Sequence, residues 1–160
     1  MTGFLSSLIE QYRQELEKHR NWSFLKASMA ACALVAIANG SVAFRQRVRL
    51  DQVLETLDAL KIYDPHEGVN LFNEFVEAIE VNPKEGRKGA VRAIRAEAAV
   101  DPEKARLLIR MCLAVSEVGG EIPLTEQVEI VGLCSQLGLD PRGFGLYVDA
   151  PARGGKGAGE

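Results

Sequence analysis

Apolar positions recur along this chain at three- and four-residue steps between sharp breaks, the period of helices rather than strands. The pattern predicts helices over about residues 3–19, 22–39, 44–61, 65–80, 83–98, 102–118 and 124–138, with a short one at 141–146. The breaks have their own chemistry. Asp64-Pro65, Asn82-Pro83, Asp101-Pro102 and Asp140-Pro141 each place a capping oxygen just ahead of a proline. Such an oxygen accepts from a free amide of the first turn, and proline there gives up only an amide that would lack a partner. Leu5, Leu8, Ile9, Tyr12 and Leu16 form one apolar stripe on the first helix, expected to dock on the rest of the bundle. No stretch alternates strongly enough to predict a strand.

The pattern also repeats. With residues 31–57 laid over 111–137, Cys32 falls on Cys112, Val35 on Val115, Gly40 on Gly120, Val48 on Val128 and Leu57 on Leu137. Between these identities apolar meets apolar: Val42 with Ile122, Phe44 with Leu124, Leu50 with Ile130, Val53 with Leu133 and Leu54 with Cys134. This self-similarity predicts a compact all-α bundle of about seven to eight helices, built from two pseudo-symmetric helical hairpins that bury their faces on each other. Gly40 and Gly120 stand where left-handed C-caps would end the preceding helices. The domain is read as residues 1–146, with 1–20 an amphipathic helix docked on it. Residues 147–160, rich in Gly, Ala and Pro, read as a flexible tail.

Composition adds bounds. A chain of 160 residues, 47% hydrophobic and 26% charged, is that of an ordinary globular domain. Net charge of −3 argues against general affinity for nucleic acid. Three cysteines without a CxxC pair read as small core residues in a reducing compartment. The apolar run Met29–Ala38 is too short for a bilayer, which asks about 20 residues. His19 and His66 have no partner at metal-ligand spacing, and no nucleophile elbow or phosphate loop is present.

Two constellations remain. Lys84, Arg87, Lys88, Arg92 and Arg95 form a basic stripe at largely helical spacing, to which Arg45, Arg47 and Arg49 add. Without interleaved aromatics it suits solvent or an acidic protein better than nucleic acid. Glu74, Glu77 and Glu80 carry the opposite sign on the preceding helix, so part of this charge is expected to pair across the hairpin.

The chain resembles the tellurite-resistance TerB family over about residues 20–146. The resemblance is carried by Asn21, Phe24, Cys32 and Ala33, by Leu71-Phe72-Asn73, and by Leu137-Gly138-Leu139-Asp140-Pro141 followed by Phe144-Gly145-Leu146. It implies an all-helical fold of two related halves in the bacterial cytoplasm. It also implies a link to tellurite and chemical stress, to phage defence, and to assemblies near the membrane with TerC-like and TerD-like proteins. No enzymatic activity is implied. In that family an Asp commonly precedes each repeat glycine and acids open the next helix, forming a candidate metal-binding surface.

This chain departs from that pattern. Its first copy reads Asn39-Gly40, then Ser41, Val42, Ala43, Phe44, Arg45, Gln46 and Arg47, with no carboxylate. Its second reads Gly119-Gly120, with Glu117, Glu121 and Glu126 nearby. A hard cation asks about six to eight oxygens, so these three glutamates are at best part of a weak divalent site. The leading expectation is therefore a non-enzymatic helical scaffold without a cofactor, which binds protein partners in the cytoplasm or at the inner face of the membrane. Its contact residues are expected to be Asn39, Ser41, Phe44, Arg45, Arg47, Arg87, Lys88, Arg92 and Arg95. The alternative is a divalent-metal sensor or buffer using Glu117, Glu121 and Glu126. Homo-oligomerisation stays open.

Overall fold

The computed structural model describes residues 2–99 and 101–146, with backbone alone at residues 2, 15, 16 and 18–20. Six α-helices make the fold: α1 (Thr2–Ala36), α2 (Phe44–Thr56), α3 (Pro65–Val81), α4 (Pro83–Ala98), α5 (Pro102–Ser116) and α6 (Leu124–Leu137). Short 3-10 turns follow α1 at Ile37–Asn39 and α6 at Pro141–Phe144. The fold is all-α, and the only bridge pairing among the described residues is the isolated Val118–Glu121 contact.

All four capped starts form as the Asx-Pro pairs require. Asp64 accepts from the His66 amide at 2.9 Å and Asn82 from Glu85 at 3.3 Å. Asp101 accepts from Glu103 at 3.0 Å and Asp140 from Arg142 at 2.9 Å. At the turn between α3 and α4, Gly86 lets the helices touch: a Cβ there would stand 2.5 Å from the Ile79 Cα. No rearrangement short of backbone movement relieves such a contact.

The second half of α1 is the axis of the core. Its residues from Ala27 to Ala36 are buried on every side, and it packs against α3, α4 and α5. A helix apolar all round belongs inside a fold, and its alanines permit close neighbours. The segment Asn21–Asn39 is apolar and long enough to cross a bilayer by composition alone, yet 72% of it is buried by the rest of the molecule. Cys32, Cys112 and Cys134 are buried core thiols. Burial pushes Cys134 up to about 11, and a hydrogen bond with Cys32 together with burial raises Cys112 well above the ordinary thiol value.

The structure corrects several expectations. The helices predicted at 3–19 and 22–39 are one, because neither glycine nor proline interrupts the chain between Phe4 and Ala36. The first part of that helix leaves Phe4, Leu5, Leu8, Ile9 and Tyr12 exposed, so its stripe does not dock on the bundle. The side chains of Leu16 and His19 lie outside those described, as does the tail at 147–160. Helix α2 stops at Thr56, where Leu57 turns extended and the following turns bury Leu60 and Tyr63. Trp22, half-exposed, meets the Tyr63 ring edge-on at 5.8 Å.

Candidate functional site

The two inter-helix connections lie at one end of the bundle, and they are built differently. In the first, Asn39 ends the 3-10 turn and Gly40, at φ 98°, donates its amide to the Ile37 carbonyl at 2.8 Å. That is the expected left-handed cap. In the second, α5 ends on an extended Glu117, and Gly119 and Gly120 (φ 58° and 88°) make a two-residue turn. Val118 and Glu121 exchange backbone hydrogen bonds across it. Gly120 is thus a hairpin-turn glycine rather than a helix cap; paired positive φ angles suit that turn.

The helix starts differ as well. Gln46 and Glu126 occupy corresponding places, the third position of α2 and of α6, and both are buried. Gln46 returns its Oε1 to the Ala43 amide at 2.7 Å. Glu126 has no such amide to reach, because its N-cap residue is Pro123. Its carboxylate instead accepts from the Asn39 Nδ2 at 3.2 Å, with the Arg45 guanidinium 3.8 Å away. Thr125 donates to the other side of the Asn39 amide. Arg45 also donates to the Ser116 carbonyl at 3.3 Å. A small polar clamp therefore ties the start of α6 to the ends of α1 and α5 and to the start of α2.

Neighbouring arginines do similar work. Arg49 donates to the Ala114 carbonyl at 2.7 Å and pairs with Glu117 at 2.8 Å. Glu117 also accepts from the Gly120 amide, and this contact, then Arg49, holds its carboxyl below the usual range. Arg47 donates to Asn73 at 3.0 Å and lies over the Phe72 ring. Asn39, Arg45 and Arg47, expected at a partner surface, thus bond within the chain, while Asn39, Ser41 and Arg47 remain exposed and Arg45 half-buried.

This geometry bears on the metal reading. Glu117 turns to Arg49, Glu126 turns inward to Asn39 and Arg45, and Glu121 is exposed. Among the described residues no three His, Cys, Asp or Glu side chains come together as a metal-holding group. Among the described residues, three buried polar atoms lack a partner, namely Glu126 Oε1, Ser116 Oγ and Gln46 Nε2. Only one is a carboxylate oxygen, and a guanidinium already stands beside that carboxylate. The donor set does not fit a hard divalent cation, which asks several carboxylate oxygens.

Around the clamp lies a surface of another character. Phe44 is 81% exposed and Val48 38%, one turn apart on α2. Leu124 is 74% exposed and Val128 65%, one turn apart on α6. The overlay of the two halves pairs these residues with each other, and all four are exposed. Cys32 with Cys112, Val35 with Val115, Leu50 with Ile130 and Leu54 with Cys134 are the pairs that reach the core. The overlay carried the signal for Val48, Leu124 and Val128, which the expected contact residues left out although they include Phe44.

The basic stripe of α4 is exposed over Lys84, Arg87, Lys88, Arg92 and Arg95. Arg87 pairs with Glu129 of α6 at 2.5 Å and Lys88 with Glu85 at 3.8 Å. The expected pairing with Glu74, Glu77 and Glu80 does not form among the described residues. Arg45, Arg47 and Arg49 do not add to the stripe, being committed elsewhere.

Comparison with known proteins agrees with this all-helical build. The family model described as tellurite resistance protein TerB matches residues 25–147. A tellurium resistance protein TerB of an Alcaligenes species is 26% identical over 109 residues, covering 68% of this chain and 88% of that protein. No solved structure matches the chain. With the family model spanning most of its length, the chain belongs to the TerB family of tellurite resistance proteins.

Proposed function

We propose that this TerB-family protein is a non-enzymatic adaptor that holds a protein partner against the end of the bundle where α2 and α6 begin. The observation that carries the reading is the set of four exposed apolar side chains, Phe44, Val48, Leu124 and Val128. They stand as matching one-turn pairs on α2 and α6, whose starts the Arg45–Glu126 contact links. Exposed apolar groups fixed on a rigid frame are the material of protein interfaces, where a few large anchors supply most of the affinity. The Alcaligenes relative, a tellurium resistance protein, sets the reading in tellurium resistance.

The test is the double variant Phe44→Asp/Leu124→Asp in the cells that make the protein. Both positions are exposed, so the variant should melt within a few degrees of wild type. It should lose a partner that wild type retains on affinity purification, weakening the complex about tenfold or more. A folded variant that keeps the partner and still supports growth on tellurite would sink the reading.

A further inference from the structure

We propose that α4 and the facing edge of α6 form a second docking groove, built for an acidic, partly apolar peptide segment of a protein partner; this rests on the adaptor reading above. The groove is a depression of about 510 Å³ lined by Lys84, Arg87, Lys88, Val91, Arg92 and Gln136. A second depression of about 390 Å³ also has Arg87 in its lining and carries the surface on to Gly40, over Ile37, Ile79 and Pro83. Cations dominate the first depression beside Val91, and aliphatic side chains the second. That mixture suits a segment offering carboxylates together with one or two apolar groups.

The cations are available. Lys84, Arg92 and Arg95 have no ion-pair partner among the described residues, and Lys88 has only the long contact to Glu85. The acids of α3 leave them free. Arg87 is held by Glu129 at 2.5 Å, which fixes one rim position and joins α4 to α6. The patch does not reflect general basicity, since the whole chain carries a net charge of −3. From Lys84 to Arg92, the ends of the lining on α4, the helix rises roughly 12 Å. An extended segment of about four residues spans that distance, which makes a peptide a better match than a single small anion.

Other polyanions fit less well. No aromatic side chain lines either depression, so bases would find nothing to stack on. Glu80 and Glu129 line the second depression, so the carboxylates of the segment face Lys84, Lys88 and Arg92 and only its apolar groups lie towards Gly40.

The experiment is fluorescence anisotropy with the full chain and a labelled peptide of alternating glutamate and leucine. Its lysine–leucine counterpart, a labelled single-stranded oligonucleotide and vesicles of phosphatidylglycerol and phosphatidylcholine are the comparison probes. The acidic peptide should bind saturably at low salt and weaken about tenfold at high salt. Lys84→Glu/Arg92→Glu should weaken it at least about tenfold, with an unchanged melting temperature, and should bind the lysine–leucine peptide instead. No saturable binding, binding indifferent to the charge reversal, or binding to vesicles or oligonucleotide in preference to the peptide would overturn the proposal. If the peptide fails while wild type still retains a partner that Phe44→Asp/Leu124→Asp loses, the groove falls and the adaptor stands. If the peptide binds while that double variant keeps its partner, the apolar end falls instead.

Discussion

Gln46 and Glu126 sit at the same place in two similar helix starts and end in opposite states. Gln46 is a local cap, its Oε1 accepting from an amide three residues back. Glu126 is denied that amide by Pro123 and turns across the molecule to Asn39 and Arg45. One residue of context, a proline where the first copy has Ala43, converts a helix cap into a long-range clamp. A buried carboxylate needs opposite charge and hydrogen bonds to be tolerated, and here an arginine supplies the charge.

Breaking the clamp at its charge should have the largest effect. Arg45→Met leaves Glu126 buried without its guanidinium and should cost about 1–3 kcal/mol in urea unfolding, discounted because Arg45 is itself partly exposed. Adding Glu126→Gln should recover at least half of that loss, since the uncompensated charge is then gone. Simple additivity of the two would show that they do not interact. Gln46→Ala tests the other side of the comparison. It removes a single capping contact and should cost about 1 kcal/mol, with no dependence on Arg45.

The smallest effect concerns Glu117. The Gly120 amide and Arg49 lower its folded pKa beneath the ordinary value of 4.5. Its contribution is therefore present above the unfolded pKa and is lost as pH falls through the folded one. Glu117→Gln should flatten that acid limb of the stability curve while changing little at neutral pH, and an unchanged limb would assign the acid sensitivity elsewhere.

Much of the fold was legible because helix starts announce themselves through local chemistry. Each Asx-Pro pair needs only its own backbone to act, and all four caps form. The family was legible too, from strings such as Leu137-Gly138-Leu139-Asp140-Pro141. The single long α1 is not legible in the predicted helices 3–19 and 22–39, yet no glycine or proline stands between them to stop a helix. The site was only half legible. Arg45 and Arg47 look like free surface charge until their acceptors, Ser116 and Asn73, are brought near by the fold. Phe44 was read as a contact residue, and its counterpart Leu124 was not, although the overlay joined them.

The most direct test of the central claim is a thermal melt of purified wild type in EDTA and then with calcium, magnesium or zinc. A cation present at 100 times its dissociation constant adds about 2.7 kcal/mol, a shift of several degrees in a domain of this size. With Arg45 already beside Glu126, the melting temperature should stay within about 1 °C across all conditions. A shift of several degrees that disappears in Glu126→Gln would contradict the account and return this end of the bundle to a metal.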